Sequence, residues 1–237
     1  MDGIQRLKEM IDESSNIVFF GGAGVSTESG IKDFRSEDGI YNMKFDYPPE
    51  YMLSHSFFVS HPKEFYDFYR TMMLCDGVEP NKAHYALAEL ERRGKLKAVI
   101  TQNIDGLHQK AGSKNVFELH GSTLRNYCHR CGKSFSVEYV ESNEVPYCPC
   151  GGIVKPDVVL YEEPLDGRTL ENAIDAISRA DMLIVAGTSL TVYPAAGLID
   201  YFKGRYIVLI NRDATPYDDR ADLVIREKVG ETLSRVV

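Results

Sequence analysis

No uninterrupted apolar run in this 237-residue chain approaches the roughly 20 residues that a membrane-spanning helix needs. The first fifteen residues are polar and amphipathic, and they lack the apolar segment that a secretory signal peptide carries. A basic excess is also missing, since the formal net charge is −8, whereas a general nucleic-acid binder usually carries the opposite sign. We therefore expect a cytoplasmic protein that contacts neither membranes nor nucleic acid directly. We also expect a monomer, because no clear apolar interface is evident.

Cysteine is scarce, but four of the five cysteines form two close pairs, Cys128-x2-Cys131 and Cys148-x-Cys150. In a reducing compartment this spacing predicts one Zn²⁺ held by four thiolates. Four thiolates fill a tetrahedral site and leave no position for water, so we expect a structural zinc. Since the second pair is unusually short, a redox or disulfide role stays open. Cys75 is interpreted as a small buried hydrophobic residue.

Short apolar runs recur along the chain without polar alternation, which is typical of strands buried on both faces of a parallel sheet. They cover residues 16–20, 98–100, 116–119, 158–160, 182–186, 206–210 and 223–225. Helical patterns lie between several of these runs, at residues 84–93 and 170–179. The pattern predicts an α/β, doubly wound fold.

Two segments interrupt this alternation. Residues 38–80 contain an aromatic-rich stretch with helical spacing, and residues 122–155 hold the paired cysteines. We predict that these two segments form a smaller inserted domain, a helical module and a zinc-ribbon module. The large domain would then comprise residues 1–37, 81–121 and 156–237.

A glycine turn, Gly22-Ala23-Gly24, follows the first predicted strand. Such a turn can bring backbone N–H groups to a pyrophosphate. Thr27 stands where a dinucleotide fingerprint would have its third glycine, and no acidic residue ends a second strand about 20 residues on. The sequence therefore does not indicate an ordinary hydride-transfer site.

Polar side chains follow the carboxyl ends of several predicted strands. They are Gln102, Asn103 and Asp105 after the second, Thr188 and Ser189 after the fifth, and Asn211 after the sixth. Open α/β sheets bind ligands at that edge, so we expect a cleft there. Asn103 or Asp105 could instead cap the following helix, and that alternative stays open.

His120 ends the third predicted strand, beside Gly121 and next to the cysteine segment. A well-placed histidine base contributes roughly 10²–10⁴ in rate near neutral pH. A lone histidine is more often structural than catalytic, so its residue chemistry leaves both roles open.

Together these motifs resemble the sirtuin family, in its single-domain bacterial and archaeal form. The matching pieces follow the family order and are residues 22–35, 101–105 and 119–121, the four paired cysteines, residues 187–189, and Asn211. The resemblance implies a Rossmann-like large domain, a small domain of zinc ribbon and helices, and a cleft between them. It also implies NAD-dependent deacetylation of protein lysines, with transfer of the acetyl group to ADP-ribose and release of nicotinamide.

The resemblance also assigns residues to roles. It implies that NAD contacts Ala23, Thr27, Phe34, Arg35, Gln102, Asn103, Ile104, Asp105, His120, Thr188, Ser189, Asn211 and Val229. Acetyl-lysine of a protein substrate would pass between Val159, Leu160, Tyr161 and Val192. His120 would be the catalytic base, Asn103 would help to orient nicotinamide, and Phe34 would exclude water.

Several positions depart from the patterns of the family or of its branches. Lys32 stands where proline is usual, and Tyr161-Glu162-Glu163 replaces the common Phe-Gly-Glu. Tyr66 and Tyr69 align with the Tyr-x-x-Arg pair of the branch that removes succinyl groups, so the arginine is missing. We therefore expect acetyl and other neutral acyl groups as substrates. Two other functions stay open, namely ADP-ribosyl transfer to a protein side chain and a non-catalytic NAD-sensing or zinc-ribbon interaction module.

Overall fold

A computed structural model describes residues 2–237, so Met1 of the predicted 1–37 segment lies outside the described residues. The helices are α1 Gly3–Glu13, α2 Pro49–Met52, α3 His55–Ser60, α4 Pro62–Met72, α5 Lys82–Arg92, α6 Leu107–Lys110, α7 Val137–Glu141, α8 Gly167–Arg179 and α9 Val229–Leu233. The strands are β1 Ile17–Gly21, β2 Leu96–Thr101, β3 Val116–Glu118, β4 Gly121–Cys128, β5 Ser134–Phe135, β6 Val154–Val158, β7 Met182–Ala186, β8 Tyr206–Ile210 and β9 Leu223–Ile225. Short 3₁₀ turns cover Ala23–Val25, Thr27–Ser29, Ile40–Asn42, Ala195–Tyr201 and Asp218–Arg220.

The larger sheet has six strands in the order β3-β2-β1-β7-β8-β9, and every neighbouring pair is parallel. All residues of β1 and β7, the two central strands, are buried. Their continuous apolar runs follow from this position, because both faces of the sheet are covered. The predicted α/β class with a Rossmann-like sheet is confirmed.

Alternate side chains of β1 enter two different cores. Phe19 packs in a cluster with Leu7 of α1 and Leu87 of α5, whereas Phe20 packs in a second cluster with Ile177 of α8. This alternation follows from the two-residue period of a strand. Fully burying a phenylalanine or leucine side chain stabilises the fold by about 1.5–3 kcal/mol.

The prediction that residues 158–160 form a strand of the parallel sheet was wrong. The observed strand β6 ends at Val158 and pairs antiparallel with β4 in a second sheet of order β5-β4-β6. This run is apolar for another reason. Val158 and Leu160 belong to the core of the small module, and Val159 lines a cavity.

The small module joins the helices α2, α3 and α4 to the three-stranded sheet through one core. Phe57, Phe65 and Tyr66 pack there with Cys128 and Val154. The Tyr66 hydroxyl donates a hydrogen bond to the backbone carbonyl of Val154. Helical and cysteine-bearing segments, far apart in sequence, therefore fold as one unit. Within residues 2–237, no helix combines the length and the apolarity needed to cross a bilayer.

Candidate active site

A cavity of about 610 Å³ lies between the carboxyl ends of the parallel strands and the small module. Every residue that the resemblance assigned to NAD or to acyl-lysine lines it. The thirteen residues assigned to NAD come from the turns after β1, β2, β3, β7 and β8, from the segment between Lys32 and Ser36, and from the start of α9. The substrate residues come from the segment after β6 and from the loop after β7. The fold thus brings residues that are up to 206 positions apart (23 to 229) around one volume.

The turns after β1 and β7 meet backbone to backbone at the floor of the cavity. The N–H of Gly24 donates to the carbonyl of Gly187 at 2.8 Å. A Cβ atom at Gly24 would lie 2.7 Å from the Gly187 Cα, so a side chain has no room there. Backbone without side chains is the surface that a pyrophosphate can approach closely. The glycine turn therefore fits the dinucleotide that the sequence predicts.

A chain of hydrogen bonds fixes the side chains of Asn103 and Asp105. The amide Nδ2 of Asn103 donates to Ser26 Oγ at 3.0 Å, and that hydroxyl donates to Asp105 Oδ2 at 2.6 Å. The second oxygen of Asp105 accepts the backbone N–H of Leu107 at 2.9 Å, at the start of α6. Asp105 therefore accepts a backbone N–H at the start of α6, whose N-cap residue is Gly106, while its other oxygen belongs to the cavity network. The bond from Nδ2 also leaves the Asn103 Oδ1 available as an acceptor.

Gln102 brings an unpaired donor to the cavity. Its Oε1 accepts a hydrogen bond from Thr188 Oγ1 at 3.2 Å. Its Nε2 is buried and has no partner among residues 2–237. An unsatisfied buried donor costs about 1–3 kcal/mol, which the surrounding packing must offset.

His120 is held in one tautomer. Its Nδ1 lies 3.0 Å from the backbone carbonyl of Gln102. Because a carbonyl only accepts, Nδ1 carries the hydrogen and Nε2 is the nitrogen free to take a proton. Burial lowers the pKa of His120 below its ordinary 6.5, and the bond to the carbonyl opposes that shift in part. The imidazole is therefore neutral at pH 7, as a general base must be.

Gly121 allows the chain to turn from β3 into the small sheet directly after His120. Its φ is +76°, in the left-handed region that favours glycine. A Cβ atom there would lie 1.9 Å from the carbonyl oxygen of Asp157. The glycine thus lets β4 and β6 approach each other and sets His120 at the junction of the two sheets.

Hydrogen bonds within residues 33–41 hold the segment that bears Phe34 and Arg35 in a loop. Asp33 Oδ1 accepts the backbone N–H groups of Arg35 and Ser36 at 3.2 and 2.8 Å. The Asp33 and Phe34 carbonyls accept the N–H groups of Ile40 and Tyr41, each at 2.9 Å. Phe34 is half-buried on the cavity wall, whereas Arg35 is exposed at its edge.

The substrate segment is fixed to the small module. Tyr161 donates its N–H to the Leu53 carbonyl at 2.9 Å and accepts the His55 N–H at 3.0 Å. The next residue, Glu162, has a φ of +75°, which explains why glycine is usual there in the family pattern. Its carboxylate accepts hydrogen bonds from Ser56 N at 2.9 Å and Ser56 Oγ at 2.7 Å. These bonds hold the pKa of Glu162 below its ordinary value.

Tyr66 and Tyr69, which align with the succinyl-recognition pair, do not line the cavity. Both are buried in the core of the small module. The cavity wall next to the small module is apolar instead and includes Leu53, Met72 and Met73.

The four paired cysteines form one cluster, with all Sγ atoms within 4.8 Å of one another. The Sγ atoms of Cys128 and Cys150 are 3.5 Å apart, and those of Cys131 and Cys148 are 3.6 Å apart. A tetrahedral zinc with Zn–S bonds of about 2.3 Å places its sulfurs about 3.8 Å apart, so the cluster fits this metal. A disulfide requires about 2.05 Å, which the cluster does not approach. The Cys148-x-Cys150 spacing is thus compatible with a four-thiolate site.

Sequence reasoning missed Ser26 and Tyr41. Ser26 lies inside the matched segment 22–35 and joins Asn103 to Asp105. The sequence signal for Ser26 was a hydroxyl side chain two residues after the glycine turn. The Tyr41 hydroxyl lies 2.7 Å from that of Tyr161, a contact between residues 120 positions apart that no local pattern indicates.

Comparison with known proteins agrees with this geometry. The model of the Sir2 family matches residues 22–194. An NAD-dependent protein deacetylase of Clostridium acetobutylicum is 62% identical, covering 100% of this chain and 99% of that protein. The NAD-dependent protein deacetylase of Clostridium perfringens is 60% identical over 100% of this chain and 99% of its own length.

Among solved structures, a complex described as Sir2, p53 peptide and NAD⁺ has a TM-score of 0.87 at 43% identity, covering 98% of this chain and 96% of that chain. A Sir2 enzyme with a TM-score of 0.91 is 45% identical over 100% of this chain and 96% of its own.

Proposed function

The chain belongs to the Sir2 family and is an NAD-dependent protein deacetylase, and within that activity we propose that His120 is the general base. One observation carries the assignment. The Nδ1–H of His120 is bound to the Gln102 carbonyl, which leaves an unprotonated Nε2 in the cavity that the predicted NAD and substrate residues share. Since its pKa is lowered by burial, the base is available at neutral pH.

NAD is the co-substrate, and it supplies the ADP-ribose that accepts the acetyl group as nicotinamide leaves. We propose that the turn Gly22-Ala23-Gly24 binds its pyrophosphate, and that Thr27 and Arg35 contact it from the loop side. Thr188, Ser189, Asn211 and Val229 line the adenosine side of the cavity in this proposal.

Asn103 and Asp105 orient the nicotinamide, with Ile104 beside them. Their side chains are fixed through Ser26, so little conformational freedom remains to be lost when the ligand binds. Phe34 covers the reacting centre and excludes water, which would otherwise compete with the acceptor hydroxyl. His120 takes the proton of a ribose hydroxyl onto Nε2, and the Gln102 carbonyl stabilises the resulting imidazolium through Nδ1–H.

The second substrate is an acetyl-lysine side chain of a protein. We propose that it passes between Val159, Leu160, Tyr161 and Val192. The apolar wall of Leu53, Met72 and Met73 supports a preference for acetyl and other neutral acyl groups, because a succinyl carboxylate would lack a cationic partner there. One structural zinc, held by Cys128, Cys131, Cys148 and Cys150, takes no part in the chemistry.

The test uses NAD with an acetylated peptide and the same peptide carrying a succinyl group. Wild-type protein should release nicotinamide and form O-acetyl-ADP-ribose, with the acetylated peptide faster. The variant His120→Ala should still bind NAD and lose at least about 10²-fold in turnover. The acid limb of kcat/KM for wild type should lie below pH 6.5, since burial lowers the pKa of the base.

The control is His61→Ala, because His61 does not line the cavity. Wild-type turnover in His120→Ala would show that the base is wrongly assigned. An increase in the mass of the acceptor protein would indicate ADP-ribosyl transfer instead of deacetylation.

We also propose that the protein acts as a monomer in the cytoplasm. A cluster of four cysteines suited to zinc supports a reducing compartment, where thiolates stay available as metal ligands. Light scattering coupled to size-exclusion chromatography should give a mass near 26.7 kDa, and a dimer mass would contradict this proposal.

A further inference from the structure

A hydrogen bond between two tyrosine hydroxyls joins two separate segments of the cavity wall. The Tyr41 oxygen lies 2.7 Å from the Tyr161 oxygen, so one donates a hydrogen bond to the other. Tyr41 belongs to the turn Ile40–Asn42, at the end of the segment that bears Phe34, and Tyr161 belongs to the substrate segment. Both tyrosines line the cavity.

Tyr41 contacts both Phe34 and Arg35. The rings of Tyr41 and Phe34 are 5.4 Å apart, in a tilted arrangement. The guanidinium of Arg35 sits over the Tyr41 ring, 5.2 Å from its centroid. Because the N–H of Tyr41 also donates to the Phe34 carbonyl, a shift of Tyr41 would move both neighbours.

Tyr161 provides the fixed partner. Its backbone is paired in both directions, with the carbonyl of Leu53 and with the N–H of His55. The hydroxyl of Tyr41 has its hydrogen bond to Tyr161 and to no other side chain among residues 2–237. Burial and this bond both raise the pKa of Tyr41, so its hydroxyl keeps its proton across the working pH range.

We propose that the hydrogen bond between Tyr41 and Tyr161 holds Phe34 and Arg35 over the cavity, which makes Tyr161 a positioning residue. The inference rests on the proposed function, in which this loop meets NAD and Tyr161 meets the acyl-lysine. Phenylalanine, the residue usual at this point of the family pattern, would keep the ring and lack the hydroxyl. The bond is therefore a property of this chain's own residues.

The arrangement predicts coupling between the two substrates. A peptide bound along the segment at Tyr161 restrains that side chain, and through the hydroxyl it restrains the loop that binds NAD. Each substrate should then bind more tightly in the presence of the other. The size of the effect is that of one net hydrogen bond, about two- to tenfold in affinity.

The experiment compares Tyr161→Phe, Tyr41→Phe and the double variant with wild type. Each single change removes one oxygen atom and retains the ring. Each should raise the KM for NAD about two- to tenfold at saturating peptide, with kcat within twofold of wild type. The KM for NAD of the double variant should not exceed that of the more impaired single variant, because all three variants lack the same hydrogen bond.

The matched control is Tyr51→Phe, a tyrosine of the same module that is 42% exposed and does not line the cavity. It should leave KM and kcat unchanged. A KM for NAD that stays at the wild-type value in both single variants overturns the proposal. So do single effects that add in the double variant.

A second readout uses the ligand-free protein and does not depend on activity. The N–H groups of Ile40 and Tyr41 are bonded inside the loop, so they report its opening. Their hydrogen exchange should be about two- to tenfold faster in Tyr161→Phe and unchanged in Tyr51→Phe. Unchanged exchange in Tyr161→Phe overturns the inference even if the protein deacetylates. Conversely, suppose that exchange is faster in Tyr161→Phe but wild type forms no deacetylated product. That result would support the role of the hydrogen bond and refute the proposed function.

Discussion

At the scale of single residues, Glu162 holds a backbone conformation that glycine adopts more easily. Its φ of +75° costs a residue with a side chain about 1 kcal/mol. The two hydrogen bonds from Ser56 to its carboxylate offset this cost. The family pattern marks the substitution, but only the coordinates show the compensating partner on α3.

Two substitutions at position 162 separate these effects. Glu162→Ala loses the bonds and keeps the strain, whereas Glu162→Gly loses the bonds and relieves it. Glu162→Ala should therefore have a free energy of unfolding about 1 kcal/mol lower than Glu162→Gly, measured by urea denaturation. Equal stability of the two variants would mean that the left-handed conformation carries no strain in this protein.

Residue types predicted the composition of the cavity well, because motifs fix residues at strand ends and strand ends meet at one edge of the sheet. Gln102, Asn103 and His120 lie where that reasoning put them. The contacts among these residues could not be predicted. That Ser26 links Asn103 to Asp105, and that Gln102 offers its carbonyl to His120, depends on distances of 2.6–3.0 Å that no spacing in the sequence encodes.

At the scale of elements, helices α5 and α6 bury two histidines against each other. The rings of His84 and His108 are 4.8 Å apart. The N–H of Asn81 donates to His84 Nδ1, and neither nitrogen of His108 has a partner among residues 2–237. Burial lowers the pKa of both side chains, and the neighbouring His84 lowers that of His108 further, while Asp105 opposes the shift at His84.

This pair predicts an acid-labile fold. Below the ordinary histidine pKa of 6.5 the unfolded chain takes up protons that the native pair does not, so stability falls as pH falls. Each histidine contributes a slope of up to about 1.4 kcal/mol per pH unit until its lowered native pKa is reached. Urea denaturation between pH 7.5 and pH 5 should show a smaller decline for His108→Leu than for wild type. An identical decline would assign the acid sensitivity to other groups.

Strands of the parallel sheet that form continuous apolar runs were predicted to within one residue, as β1, β7 and β8 show. The run 158–160 was misassigned because an apolar triplet does not reveal which core buries it. Its side chains serve the small module and the cavity wall instead of the parallel sheet. An apolar run indicates that a segment is buried, whereas contacts with distant parts of the chain decide which core buries it.

At the scale of the whole molecule, the cavity lies between the parallel sheet and the small module, two units that are built differently. The parallel sheet carries its own two cores, whereas the small module relies on one core in which Cys128 and Cys148 are buried beside aromatic side chains. The module also supplies the wall of Leu53, Met72 and Met73, and it fixes Tyr161. We therefore expect loss of the metal to impair activity through the shape of the cavity, because four thiolates leave the metal no open position for chemistry.

Removing one thiolate should destabilise the small module and leave the parallel sheet folded. Cys150→Ser should lower the zinc content well below one per chain, because a hydroxyl is a poor replacement for a thiolate ligand. Hydrogen exchange should then increase in β4 and β6 and in α4, while the amides of β1 and β7 stay protected, since the parallel sheet has its own cores. Deacetylation should be lost when the module unfolds.

Cys75→Ser is the control for metal content, because Cys75 lies outside the cluster and its replacement should leave one zinc bound. Full zinc content in Cys150→Ser, or loss of protection in β1 and β7 to the same extent as in β4, would contradict the assignment of the zinc to the small module alone.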